Sequence, residues 1–312
     1  MAVDGLNLHD GAMANTPQET SPAISVRGLT MTYPNGTVAL AGVDFDVQSG
    51  EVFALLGPNG AGKTTTVEIL EGFRSRSSGS AIVLGIDPAK ATRAWRDRVG
   101  IVLQSSGTSD EVSVRELLQL QASYHANPRP ADEVIGLVGL EEKAGTRVDR
   151  LSGGQQRRLD VARGIIGRPD LVFLDEPTTG FDPEARRQFW DLIGTLRDDG
   201  TTIVLTTHYM EEAEVLADRI GVIVGGLLVA IGTAAELGGR NEAPAIVRWT
   251  EGGTLHEQRS HQPAAVVREL TNRVGVDIED LTIARPTLES TYLRLVAAHE
   301  VNSPATITGV RP

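Results

Sequence analysis

The stretch VFALLGPNGAGKTTTVEIL, residues 52–70, restricts the fold more than any other part of the chain. Five apolar residues read as a buried strand, a glycine-rich loop follows at once, and a helical segment follows the loop. Gly57 to Thr64, GPNGAGKT, matches the P-loop pattern in the strand–loop–helix context that gives the pattern meaning. Such glycines let backbone amides wrap a chain of phosphates. Gly57, Asn59, Gly60 and Gly62 would form the cradle, and Lys63 would reach the β- and γ-phosphates. Thr64 is placed for Mg²⁺ and Thr65 for the α-phosphate. A glycine turn that holds nothing is the alternative, and the strand before it and the helix after it speak against that.

Three more apolar runs end in polar groups. LVFLDE reads as a buried strand with Asp175 at its C-terminal end, where open α/β sheets place their ligands. Asp175 would hold Mg²⁺ through water, and Glu176 would orient or deprotonate an attacking water. Acids after strands are also common caps, so this pair gains its meaning from the P-loop. TTIVLTTH ends in His208 on the same rim, either as a structural histidine or, as the position favours, as a contact to the γ-phosphate. Gln104 ends VGIVLQ in the same way and could touch Mg²⁺ or the water. Tyr33, in the hairpin before the P-loop, either stacks on a base or is an ordinary half-buried sheet tyrosine.

The rest of the chain fits around these strands. Residues 1–22 are polar and aperiodic and read as a flexible tail. Two strand-like runs flank Pro34-Asn35-Gly36, a hairpin signal. Strands alternate with helical segments in the βαβ pattern of a parallel sheet, and residues from about 105 to 165 are mostly helical. IGVIVGGLLVAIG is too short to cross a membrane and reads as two strands about a Gly-Gly turn. After Gly239 the composition shifts, and residues 240–312 read as a small α+β appendage. There is no cysteine, hence no disulfide, thiol nucleophile or cysteine-bound metal. The net charge of -12 argues against a general nucleic-acid binder, and the first residues do not read as a signal peptide.

LSGGQQRRLD, from Leu151, places two glycines where a helix should begin. Ser152 fits the N-cap, and Leu159, Ala162 and Ile166 recur at helical spacing. Gly153 and Gly154 cost helix stability but bare amides that an anion can approach.

Together these motifs resemble the ATP-binding subunits of ABC transporters over residues 24–240, and LSGGQ, Ser152 to Gln155 included, matches that family's signature intact. The resemblance implies ATP and Mg²⁺ as cofactors, Tyr33 as the adenine-stacking aromatic and Gln104 as the Q-loop glutamine. It implies Glu176 as the catalytic glutamate, His208 as the switch histidine and Asp182 as the D-loop aspartate. Phe181 departs from the more usual leucine, and a packing change at the subunit contact is expected there. The resemblance also implies a head-to-tail homodimer, in which Ser152, Gly153 and Gly154 meet the γ-phosphate of ATP bound to the partner.

LTIARPTLESTYLRL looks like the C-terminal end of the daunorubicin-type drug-resistance exporter ATPases. Leu288, Tyr292 and Leu295 fall on one helical face, to be packed on the appendage itself or, less favoured, on a partner subunit. The expected fold is a P-loop α/β core of residues 23–239 with an antiparallel β subdomain, a helical subdomain and the C-terminal α+β appendage. The expected function is ATP hydrolysis that drives transport, by preference export of a hydrophobic drug or lipid-like molecule, through a separate polytopic membrane permease. The subunit would sit at the cytoplasmic face of the membrane. A soluble ATPase acting on ribosomes or DNA, or an ATP-dependent regulatory module, are the rivals.

Overall fold

A computed structural model describes residues 21–102 and 111–302. Most of the expected tail, and Gln104 with it, therefore lie outside the described residues. The first half contains β1 (Ile24–Thr32), β2 (Val38–Val47), β3 (Val52–Leu56), α1 (Lys63–Leu70), β4 (Ser78–Val83), α2 (Arg93–Arg96), β5 (Val99–Val102), α3 (Val114–Ala122), α4 (Ala131–Leu137) and α5 (Gly153–Ile165). Then come β6 (Leu171–Asp175), α6 (Pro183–Asp198), β7 (Thr202–Thr206), α7 (Met210–Leu216), β8 (Arg219–Val224) and β9 (Leu227–Gly232). The chain closes with β10 (Ala245–Glu251), β11 (Thr254–Ser260), α8 (Pro263–Val274), β12 (Thr282–Ala284) and α9 (Leu288–Asn302).

A six-stranded sheet runs in the order β5-β6-β7-β3-β8-β9, parallel except for β9. Its central strand β3 is buried throughout, as a strand covered on both faces must be. Alternate residues point to opposite faces. Val52, Ala54 and Leu56 join a core shared with α3 to α7, while Phe53 and Leu55 join a second core under β1, β2 and β4. Those three strands form a separate antiparallel sheet, β2-β1-β4. Its hairpin turns at the expected Pro34-Asn35-Gly36, where Gly36 takes φ 86° and its amide donates to Tyr33 O at 2.9 Å. The helical segment is interrupted at Pro130, which precedes α4, and α3 starts on a capping box formed by Ser113 and Glu116.

The C-terminal sheet, β11-β10-β12, packs α8 on one face through Val247, Trp249, Val266 and Leu270. The last helix does not join it. Leu288 is fully buried in the large core beside Leu237, and Tyr292, Leu295 and Val296 pack against that same core. The expected face is present, but it lies on the turn 237–242 together with β8, β9 and α7, not on the small C-terminal sheet. The physical reason is supply and demand of apolar surface. The small sheet already has α8, whereas Val229, Ala230 and Leu237 beside β9 need a cover. Arg240 fastens the arrangement, donating to Pro286 O at 2.8 Å and pairing with Glu214 at 2.7 Å.

The turn between β8 and β9 links this helix to the phosphate loop. Gly226 N donates to Ala61 O at 3.0 Å, and Gly226 O accepts from Ala41 N at 2.9 Å. His299 of α9 closes over the adjacent Gly225, where a Cβ would stand 3.0 Å from its Nε2.

Candidate active site

β6, β7 and β3 are neighbours and parallel, so their C-terminal ends share one rim. That rim brings together Asp175 and Glu176, then His208, then the loop 57–62. The loop is fixed by close contacts. A Cβ at Gly57 would lie 2.3 Å from Ile223 O, and one at Gly62, where φ is 108°, would lie 2.6 Å from Ala39 O. Only glycine fits either place. α1 then begins at Lys63 with no side-chain cap on Gly62, so no side chain occupies the amides of the first turn. Asn59, Gly60 and Thr64 are exposed at the mouth of the loop, while Lys63 and Thr65 are buried. Lys63 Nζ donates to Gly57 O at 2.7 Å and to Pro58 O at 3.2 Å. Burial depresses its pKa, and the nearby Glu176 and Asp175 oppose that shift.

Thr206, the last residue of β7, organises both acids. Its hydroxyl donates to Asp175 Oδ1 and accepts from Glu176 N at 3.2 Å, and its carbonyl accepts from the same amide at 3.1 Å. Glu176 has φ 45°, a conformation uncommon for a residue with a side chain. Its Oε1 stands 3.4 Å from His208 Nδ1, and the imidazole lies against the Tyr209 ring. The carboxylate, the histidine and the phosphate loop thus face one place.

Tyr33 lies beside the loop. Its hydroxyl is 3.0 Å from the Thr65 hydroxyl, and the Arg74 guanidinium sits 5.0 Å from its ring centre. The LSGGQ residues lie at the start of α5. Ser152 is the N-cap, and Gln155 completes a capping box, its side chain accepting from Ser152 N at 3.0 Å. The Ser-x-x-Gln spacing carries that signal, and sequence reading passed it over. Among the described residues nothing lies within 4 Å of a Cβ placed at Gly153 or Gly154. Ser152, Gly154, Gln155, Gly180 and Asp182 line a groove of about 1010 Å³. Asp182 is exposed and caps α6, accepting from Ala185 N at 2.8 Å. Phe181 is buried, edge-on to Phe189 at 6.0 Å, and stands on the wall of the same groove.

Residues 40–179 match the sequence profile of the ABC transporter family. Over 304 residues the chain is 36% identical to the daunorubicin resistance ATP-binding protein DrrA3 of Streptomyces coeruleorubidus, covering 88% of this chain and 95% of that one. The chain belongs to the ABC transporter ATP-binding proteins. Another ABC relative, the Nod factor export ATP-binding protein I of Ralstonia nicotianae, is 43% identical over 224 residues, 70% of this chain and 69% of that one. Among solved structures, a dimeric ATP-binding cassette in a post-hydrolysis state bound to ADP and Pi aligns with a TM-score of 0.62 and 24% identity, covering 67% of this chain and 98% of that one. The ABC cassette fold and ATP hydrolysis thus account for the P-loop rim and the signature helix found here.

The rim suits a nucleotide with its metal. Thr64 and Asp175 offer the hard oxygen donors that Mg²⁺ prefers. Among the described residues no group of three or more acids and histidines could hold a metal alone.

Proposed function

We propose that this ABC ATPase powers export through a separate membrane subunit and works as a head-to-tail homodimer. Among the described residues no helix is long and apolar enough to cross a membrane, so the translocation path would belong to a partner that holds this chain at the membrane. The names of the relatives, daunorubicin resistance and Nod factor export, support outward movement of amphiphilic molecules. No observation favours a nucleic acid.

In the catalytic site, the amides of loop 57–62 and Lys63 bind the phosphates, and Tyr33 supports the base. Thr64, Asp175 through water, and Gln104 would hold Mg²⁺, which would supply neutralisation of the phosphate charge. Glu176 accepts a proton from the attacking water, and His208 fixes the Glu176 carboxylate and the γ-phosphate relative to each other. Ser152, Gly153, Gly154, Gln155 and Asp182 serve the partner's nucleotide from across the interface. The observation that carries the hydrolytic reading is the meeting of Glu176 and His208, 3.4 Å apart, on the rim beside Lys63.

Glu176→Gln tests it. The variant should bind ATP normally, hydrolyse it about 100-fold more slowly or worse, and accumulate as an ATP-dependent dimer on size-exclusion chromatography. Near-normal turnover would remove Glu176 from the chemical step.

A further inference from the structure

Two arginines follow the signature glycines, and they behave differently. Arg158 reaches outward to Gly139 O at 3.4 Å. Arg157 is buried, on the same face of α5 as the buried Val161 and Ile165. Its Nε donates to Pro177 O at 3.1 Å, and a terminal nitrogen donates to Asp175 O. These are the carbonyls on either side of Glu176.

Glu176 needs such a hold. Its φ of 45° is costly for any residue but glycine, and a conformation of that kind persists only when its surroundings over-determine it. Thr206 holds the Glu176 amide from β7, and Arg157 holds the two flanking carbonyls from α5. Asp160, Asp175, Glu176 and Glu212 surround the guanidinium with negative charge. Burying a cation costs free energy that a packed apolar side chain would avoid. A planar fork spanning two backbone carbonyls is a geometry lysine cannot reproduce.

We propose that Arg157 is a positioning residue for hydrolysis: it clamps the peptide of Glu176 in its left-handed turn and ties the aim of that carboxylate to the start of α5. Movement of the signature helix then shifts the catalytic acid directly, through one side chain. This rests on the reading of Glu176 as the group that acts on water.

The test uses the full-length chain with Arg157→Met, which keeps the volume and removes the donors, and Arg157→Lys, which keeps the charge and reaches one carbonyl. Arg157→Met should lower kcat by about 10- to 100-fold, the scale of a misplaced catalytic group, with KM and nucleotide affinity changed less than about 3-fold. Arg157→Lys should fall between Arg157→Met and the parent. Combined with Glu176→Gln, Arg157→Met should cost less than about 3-fold more, because the two act on one step. Unchanged kcat in a folded Arg157→Met, or an equal loss in both backgrounds, overturns the proposal. If Arg157→Met fails to fold, Arg157→Lys decides alone: full parental kcat overturns the clamp, and a kcat loss without a KM change supports it. Failure of the Glu176 reading shows separately, as fast turnover in Glu176→Gln by itself.

Discussion

Two helices in this molecule begin at glycines, and they do so for different reasons. At α1, Gly57 and Gly62 are demanded by the chain itself: a methyl group at either would collide with Ile223 O or Ala39 O. That helix has no side-chain cap, as if its first amides were left for a ligand. At α5 a capping box occupies the amides of Ser152 and Gln155, and among the described residues the space beside Gly153 and Gly154 is open. Nothing among the described residues requires glycine there, and alanine would form a better helix. The P-loop glycines are explained by the fold. The signature glycines meet no such demand among the described residues, and the proposed partner nucleotide would supply one.

The comparison breaks if the two sites respond alike to a single methyl group. Gly57→Ala should destabilise the protein by about 3 kcal/mol or more, through overpacking against a backbone carbonyl, and should abolish ATP binding. Gly154→Ala should leave stability within about 1 kcal/mol of the parent while ATPase turnover collapses. Thermal unfolding beside nucleotide titration and turnover reads both. A stability loss at Gly154 equal to that at Gly57 would mean that its constraint is internal after all.

A second experiment sharpens the comparison by asking which chain the open glycines serve. Lys63→Ala and Gly154→Asp should each be inactive, the latter by like-charge repulsion of the incoming phosphate. Mixed subunits, with pairing confirmed, put both defects in one composite site and leave the other whole. Turnover should then return to roughly a quarter of the parent if one site suffices. A crosslink between cysteines placed at Ser152 and Asn59, formed between chains and not within one, distinguishes a failed trans arrangement from a need for two whole sites.

The smallest effect concerns the far ends of the same helices. α5 closes with Arg163 in its last turn, whereas α1 has no basic residue there and is capped by Glu71. An acid at a helix C-terminus opposes the dipole. Burial, with Asp175 and Glu68 nearby, pushes its pKa up from 4.5 to about 8. The folded state therefore holds a proton that the unfolded chain releases, and stability falls as pH rises from about 4.5 to about 8. Glu71→Gln should raise the Tm at pH 8 by a few degrees and change it little near pH 4.5, in unfolding scans across that range. A gain independent of pH would point to packing instead.

Much of the site was legible because each motif is local. The P-loop lies between a strand and a helix, and Asp175, Glu176 and His208 lie at strand ends, so short-range patterns place them on one rim. What sequence reading missed depends on direction. Arg157 carried a signal, since it shares a helical stripe with Val161 and Ile165, but an arginine on an apolar stripe names no acceptor. α9 shows the same limit. Leu288, Tyr292 and Leu295 marked a buried face, yet the surface that receives it is built from the turn 237–242, β8, β9 and α7, well before it in the chain. Amphipathicity says that a face is covered and leaves open by what.

The placement of α9 also has a consequence in time. A chain leaves the ribosome from its N-terminus at about 5–20 residues per second, so several seconds pass between completion of β9 and arrival of α9. During that interval the nascent cassette already has its phosphate loop and every strand of its main sheet. Its flank at Val229, Ala230 and Leu237 still faces water. A copy whose synthesis stops early keeps that flank bare and carries an apolar tag that chaperones and proteases read. α9 can close over that flank only after translation has passed residue 302.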